Sequence, residues 1–401
     1  MQQFEYNVRN SSGKVLKGKL TASDKAAAME ELRKRGMIVY ALKERHNTVL
    51  STEIYFGKPV KTIQFIIYCR QFATLIRAGV TIVEATAILA EQTESKALRK
   101  ALLEVNSSLL KGIPFSQAVQ SHKRIFPPMF VSMVRAGEES GNLEGTLDRL
   151  AVFFEKEHST REKVKSALMY PITVGLLAIA SVVYLLWAIV PQFVQMFESM
   201  NAQLPAVTVL VLALSKSIQH QWYIWAAVVI GLIAAYQISK RTERGAYLLD
   251  YAKLKIPVFG KLNQKGAIAQ FTRTFSSLYA SSVPVLHALS IVEDVTGNRV
   301  IGGYIRKAGE SLRQGKPLSE PLKTAWVFPP LVSQMIAIGE ETGALDQMLG
   351  KVADFYEMDV ENTVDRLKSL IEPLLIVFLA GVVGVIVAAI MLPMFSIYSQ
   401  M

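Results

Sequence analysis

The chain has 401 residues, 51% of them hydrophobic and only 19% charged, yet 44 Lys+Arg against 33 Asp+Glu leave a formal charge of +11. Such apolarity excludes a disordered chain, and 24 glycines with 15 prolines are too few for a fibrous or low-complexity one. A single cysteine, Cys69, excludes an intrachain disulfide and any multi-cysteine metal centre.

Residues 1–60 read as a small α/β module with a linker. The stretch FEYNVRNSSGKVLKGKL reads as a strand pair turning at Ser11-Ser12-Gly13, followed by a helix over Ser23–Arg35, a cap at Gly36 and a strand over Met37–Leu42. Asn47–Lys58 is expected to be the linker. The opening MQQFEYNVRN is polar and lacks the apolar core of a signal peptide, so the amino terminus is expected in the cytoplasm.

Residues 61–170 read as a bundle of about six helices. In Thr62–Ala78 the apolar residues Phe65, Ile66, Cys69, Phe72, Ala73 and Ile76 recur at helical spacing, which makes Cys69 a small core residue. Gly79 suits a left-handed stop, and Thr81 with Glu84 reads as a capping box. Further helices are expected at about 95–111, 115–122, 128–138 and 143–168.

Three uncharged runs follow: Ile172–Val190 after Pro171, Gln221–Ser239 with an aromatic anchor at Trp222, Tyr223 and Trp225, and Pro373–Pro393. Each has about the 20 residues a helix needs to cross a bilayer. The expected order is a span at 171–190, a loop at 191–220, a span at 221–239, a second bundle at 240–372, a span at 373–393 and a tail at 394–401. Leu204–Leu214 is too short to span and is expected at the membrane interface. Of the 44 basic residues, 43 fall in 1–170 and 240–371, which places both bundles inside and the tail outside. Lys156, Arg161, Lys163 and Lys165 before the first span, and Lys240, Arg241 and Arg244 after the second, are positioned to meet anionic lipid. No nucleic-acid-reading motif accompanies them. Ala227, Gly231 and Ala235, and again Ala380, Gly384 and Ala388, put small residues on one stripe of a span, suited to helix packing within the chain or between copies.

The chain is a duplication. Arg70-Gln-Phe72-x-x-Leu75 returns as Arg273-Thr-Phe275-x-x-Leu278, and Gly112-x-Pro114-x-Ser116 as Gly315-x-Pro317-x-Ser319, both 203 residues on. Phe126-Pro-Pro128 and Gly137-Glu-Glu-Ser-Gly-Asn-Leu143 return 202 residues on, as Phe328-Pro-Pro330 and Gly339-Glu-Glu-Thr-Gly-Ala-Leu345. The unduplicated middle span returns the chain so that both bundles share one side.

Catalytic signatures are absent: there is no phosphate loop, no zinc-protease pair and no nucleophile elbow. The five histidines are scattered, and His287 stands at a helix start where the first copy has Glu84. The spans carry no charge of the kind a transporter or proton relay uses, although a transporter or channel component is the alternative reading. The repeated corner formed by Gly137, Glu138, Glu139 and Gly141, and by Gly339, Glu340, Glu341 and Gly343, remains to be explained. Two carboxylates at a helix carboxyl end oppose its dipole unless the next helix or a base such as Arg135 offsets them. The corner is therefore either a structural turn or a docking or cation site.

The two Phe-Pro-Pro…Gly-Glu-Glu-x-Gly-x-Leu copies, Tyr170-Pro171, Glu372-Pro373 and Val190-Pro-Gln-Phe193…Met196-Phe197…Leu204-Pro205…Thr208 resemble the type II secretion F family over essentially the whole chain. One departure is Ser282, which stands where the first copy has Gly79. The resemblance implies a mostly α, multi-pass protein with three transmembrane helices and two duplicated cytoplasmic bundles. It also implies a non-enzymatic, cofactor-free, oligomeric platform in the bacterial inner membrane, serving type IV pili, type II secretion or competence. Its implied partners are a hexameric cytoplasmic ATPase, pilin or pseudopilin subunits and other inner-membrane assembly proteins.

Overall fold

The computed structural model describes residues 2–9, 15–22, 25, 29–30, 33, 37–44, 59–193, 206–257 and 259–398. The chain divides into two units, Met1–Pro59 and Val60–Met401. In the first, β1 (Gln2–Arg9), β2 (Val15–Ala22) and β3 (Ile38–Glu44) form an antiparallel sheet in the order β2-β1-β3. Phe4, Tyr6 and Val8 alternate with polar residues along the central strand, the period-2 pattern of a half-buried sheet, and Val8 is fully buried. The Ser-Ser-Gly turn, most of the helix expected over 23–35 and the linker 47–58 lie outside the described residues.

The second unit holds the duplication. The first copy comprises α1 (Thr62–Arg77), α2 (Ile82–Gln92), α3 (Lys96–Leu110), α4 (Phe115–Gln120), α5 (Pro128–Glu139) and the start of α6 (Leu143–Tyr184). Local chemistry sets the helix starts. Thr81 accepts from the Glu84 N–H, Ser95 from the Leu98 N–H and Asn142 from the Gly145 N–H, while Pro128 occupies the first turn of α5. Gly79, at φ +84°, turns the chain from α1 to α2. Between the copies lie α7 (Ala206–His220), α8 (Trp222–Arg241) and α9 (Glu243–Lys255). The second copy is α10 (Phe259–Ala280), α11 (Val285–Val295), α12 (Arg299–Arg313), α13 (Ser319–Lys323), α14 (Pro330–Thr342) and α15 (Leu345–Tyr398).

One apolar core runs through both copies. In the first, Phe65 meets Phe126, Phe130 and Phe154 edge-on at 6.0, 5.7 and 5.1 Å, and Tyr68 stacks on Phe72 at 5.6 Å. Phe271, Phe275 and Phe328 make the corresponding, smaller cluster in the second. Each buried ring contributes about 1.5–3 kcal/mol by leaving water, and edge-on pairing adds to that.

Among the described residues, three helices are long and apolar enough to cross a membrane. Two of them differ from the expectation that a bundle helix stops near 168 and a span starts at Pro171. Helix α6 passes through Pro171, and α15 passes through Pro373, so each copy's last bundle helix and its span are one rod. At 1.5 Å per residue these rods are about 63 and 81 Å long. Proline removes one N–H from the helical ladder, and where it costs only that bond it bends a helix without ending it.

The short apolar run also became a fuller element. Helix α7 packs on the far ends of both rods, where Leu186, Val190, Val211, Ile386 and Ala389 form a small second core. Residues Leu185–Ile189 make a wider, π-helical turn at the end of α6. Ser215 Oγ donates to the Leu186 carbonyl at 2.6 Å, Gln219 donates to that of Trp187 at 3.0 Å, and Thr208 Oγ1 donates to that of Ala389 at 2.7 Å. Polar side chains of α7 thus bond to rod carbonyls at the far ends of the rods.

Candidate functional site

The repeated corners are built by a reach across the bundle. Gly141 and Gly343, both at φ +70°, end α5 and α14 in the left-handed region that glycine adopts without cost. Gly137 and Gly339 lie where the next helix crosses. A Cβ on Gly339 would stand 2.8 Å from the Leu345 Cα, and one on Gly137 would stand 2.9 Å from Thr146 Oγ1. The first carboxylate of each pair then turns away from its own helix end. Glu138 accepts from the Phe115 N–H at 2.7 Å and the Ser116 N–H at 3.1 Å. Glu340 accepts from the Leu318 N–H at 2.5 Å and the Ser319 N–H at 3.1 Å. Each carboxylate thus caps the short helix that starts within the Gly-x-Pro-x-Ser motif, where donors lack partners and the dipole favours negative charge. Glu139 and Glu341 are exposed and have no partner among the described residues. Arg135 bonds to Gln120 Oε1 at 2.9 Å, not to either carboxylate.

A second repeated constellation lies where α1 meets α6 and α10 meets α15. Arg70 forks onto Glu155 through Nε at 2.6 Å and also reaches Asp148 at 3.2 Å. Arg273 forks onto Glu357 at 2.7 and 2.8 Å and also pairs with Asp354. The hydrogen bond from Arg70 holds Glu155 below the usual carboxylate range. Burial pushes Asp354 upward, but the hydrogen bonds from Arg273 and Lys156 outweigh it and leave its net pKa lowered. In the sequence Arg70 and Arg273 stand out only as repeat markers. The recurrence of Glu155 as Glu357 alongside them was the available signal for a pair.

The juxtamembrane basic residues divide by position. Lys156 bonds to Asp354 at 3.0 Å and Lys163 to Glu361 at 2.6 Å. Both pairs are 198 residues apart, so α6 and α15 run parallel, side by side. These two lysines therefore join the copies, because acids at 354 and 361 in one rod meet lysines in the other. Arg161 pairs with Glu157 and Lys165 with Glu162 on their own helix. Lys240, Arg241 and Arg244 are exposed at the end of α8 and the start of α9. Ser132 Oγ and His287 Nε2 also touch across the copies, 3.1 Å apart.

Between α6 and the second copy lies a cleft of about 730 Å³ where Arg161, Lys165, Lys253 and Arg273 face Glu157, Asp250 and Glu357. The small-residue stripes pack little within the chain. Ala227, Gly231, Ala235, Ala380 and Gly384 are exposed and Ala388 half-buried, while the last span uses Ile386 and Ala389 for its internal contact.

Comparison with known proteins places this architecture. The family described as type II secretion system protein F matches residues 68–191 and 271–393, one match per copy, and its amino-terminal domain matches residues 1–43. The chain is 40% identical to the type IV pilus assembly protein PilC of Thermus thermophilus, over 99% of this chain and 98% of that protein. It is 36% identical to PilC of Myxococcus xanthus, over 98% and 95% of the two chains. It is 30% identical to type II secretion system protein F of Vibrio cholerae, over the full length of both. Two copies of the family domain, each running into an apolar rod and preceded by the family's amino-terminal module, make this chain a member of the type II secretion system protein F family.

Proposed function

We propose that this chain is the inner-membrane platform of a type IV pilus or type II secretion-like machine, without enzymatic activity of its own. In this role it couples a hexameric cytoplasmic ATPase to the extraction of pilin or pseudopilin subunits from the bilayer and their addition to a filament. The observation that carries the reading is the continuity of α6 and α15 through Pro171 and Pro373. A continuous helix that begins in a bundle corner and ends across the membrane carries a push or rotation from one to the other. The paired rods run side by side, bridged by Lys156–Asp354 and Lys163–Glu361, and one apolar core runs through both copies.

Both bundles face the cytoplasm in this reading, in keeping with the segregation of basic residues. The corners at Glu139 and Glu341 offer exposed carboxylates for a basic docking partner at the far end of the rods. Deleting the gene is expected to abolish surface filaments or pseudopilus-dependent export, and the purified chain is expected to pull down the assembly ATPase. Normal filaments and export in the deletion strain would refute the platform role. Wild-type ATPase capture by a Glu139→Lys/Glu341→Lys chain would remove the corners as the docking face and leave the role intact.

A further inference from the structure

Helix α9 has a face that the bundle does not use. Its buried side, Ala246, Asp250 and Leu254, seats on the second copy, with Asp250 Oδ2 accepting from the Arg299 N–H at 3.1 Å. The adjoining face exposes Tyr247, Leu248 and Tyr251 in one stripe, with Leu248 64% exposed. Trp326 extends that stripe: its ring meets Tyr251 edge-on at 5.7 Å, and Lys255 Nζ lies 4.5 Å from the ring centre. Arg244 and Lys255 bracket the stripe at either end, and Lys240 and Arg241 immediately precede the helix.

Both ends of α9 are held near the bilayer. Only Thr242 separates it from α8, whose uncharged run ends at Ser239. At the other end Phe259 opens α10, which runs antiparallel to α15, because Arg273 pairs with Glu357 while Lys265 pairs with Asp359 and Thr363. Six residues of α10 carry the chain about 9 Å back toward the span, and Asp359 and Thr363, which both hold Lys265, lie about 21 and 15 Å below Pro373, so Phe259 sits about 6–12 Å from that level. Asp250 and Lys253 also share a cleft with Leu168 and Ile172, where α6 enters its uncharged run. A 13-residue helix is about 20 Å long, so one whose two ends lie within about 6–12 Å of the same level runs along the surface more than it plunges from it.

We infer that α9 is an interfacial anchor bedded in the cytoplasmic leaflet. Tyr247, Leu248, Tyr251 and Trp326 occupy the boundary between headgroups and acyl chains, while Arg244 and Lys255 engage anionic headgroups. Aromatic rings with a polar edge favour that depth, and flanking cations add attraction to anionic lipid. The anchor would fix the second bundle against the membrane while the rods move. Its place in the cytoplasmic leaflet rests on the orientation proposed above; its burial in lipid does not.

The test uses the full chain in nanodiscs, which have no inside or outside. Cys69, the sole cysteine, is 1% exposed, so a bimane label on Leu248→Cys reports one site, and unlabelled-site background comes from the wild-type chain. Glu139→Cys, on the corner at the far end of α6, is the aqueous control. In phosphatidylcholine–phosphatidylglycerol discs with brominated acyl chains, the label at 248 is expected to be quenched severalfold more than the label at 139. Arg244→Glu/Lys255→Glu should reduce that quenching in anionic discs and leave it unchanged in pure phosphatidylcholine. Equal quenching at the two sites would overturn the proposal. So would a label at 248 that bromolipid spares but that rising protein concentration shields from aqueous iodide, since the stripe would then join two copies. Labelling of Leu248→Cys in spheroplasts tests the orientation separately.

Discussion

Glu138 caps a helix that begins 23 residues earlier in the chain, at Phe115, and Glu340 caps the corresponding helix of the second copy at Leu318 and Ser319. A carboxylate that opposes the dipole of its own helix is stabilised by the amino end of another. The repeated Gly-Glu-Glu sequence is thereby half architecture and half exposed surface, since Glu139 and Glu341 reach solvent.

Glu138→Ala and Glu340→Ala should each destabilise the bundle by about 1–2 kcal/mol, the usual range for losing a helix cap. Glu139→Ala and Glu341→Ala should stay within about 0.5 kcal/mol of wild type, as exposed substitutions do. Thermal melts of the four variants in one detergent check the contrast.

The two arginine forks should differ in strength. The Arg273 and Glu357 side chains are 17% and 19% exposed, against 38% and 39% for Arg70 and Glu155. Glu357→Gln is therefore expected to cost about 2 kcal/mol, approaching a buried pair, and Glu155→Gln about 0.5–1 kcal/mol, nearer a surface one. The pH dependence follows from the lowered pKa of Glu155 and Asp354. Their contribution is fully present above the ordinary carboxylate values of the unfolded chain and is lost as pH falls below those values and through the lowered folded ones. Melting temperature should therefore be flat near neutrality and fall on acidification, with a shallower fall in Glu155→Gln/Asp354→Asn.

Ser282 holds the same left-handed corner as Gly79, at φ +61° against +84°. In both corners the next valine closes the turn: the Val80 N–H donates to the Leu75 carbonyl at 3.0 Å and the Val283 N–H to that of Leu278 at 3.1 Å. A side chain there costs about 1 kcal/mol. Ser282→Gly is expected to stabilise the second copy by about 0.5–1 kcal/mol, and Gly79→Ser to destabilise the first by a similar amount. Unchanged midpoints in denaturant for both would show the corner to be unstrained.

Tyr68 is 3% exposed and its hydroxyl finds no hydrogen-bond partner among the described residues, while the second copy has Phe271 at the same place. Burial raises its pKa well above that of a free tyrosine. Tyr68→Phe should retain the stack on Phe72 and remove an unsatisfied polar atom, for a gain of about 1 kcal/mol. Phe271→Tyr should lose a comparable amount. A lower melting temperature for Tyr68→Phe would point to a bound water on that hydroxyl.

What the amino-acid sequence determined by itself was everything periodic or local. Helical spacing around Phe65 and Phe72, the cap at Thr81, the glycine stop at Gly79, three spans and the duplication all follow from neighbouring residues or from self-similarity. The tertiary structure decided the partners of charged groups and the continuity of the rods. Pro171 reads as a boundary because proline removes a ladder hydrogen bond, yet the helix continues through it. Lys156 and Lys163 look like lipid contacts in a chain read alone, but their acids lie 198 residues away on the parallel rod. The Glu138 cap and the exposed stripe of α9 likewise became visible only once packing had chosen which face of each helix to bury. A helix carries several faces that could be buried, and the free energy that selects one comes from residues distant in the chain.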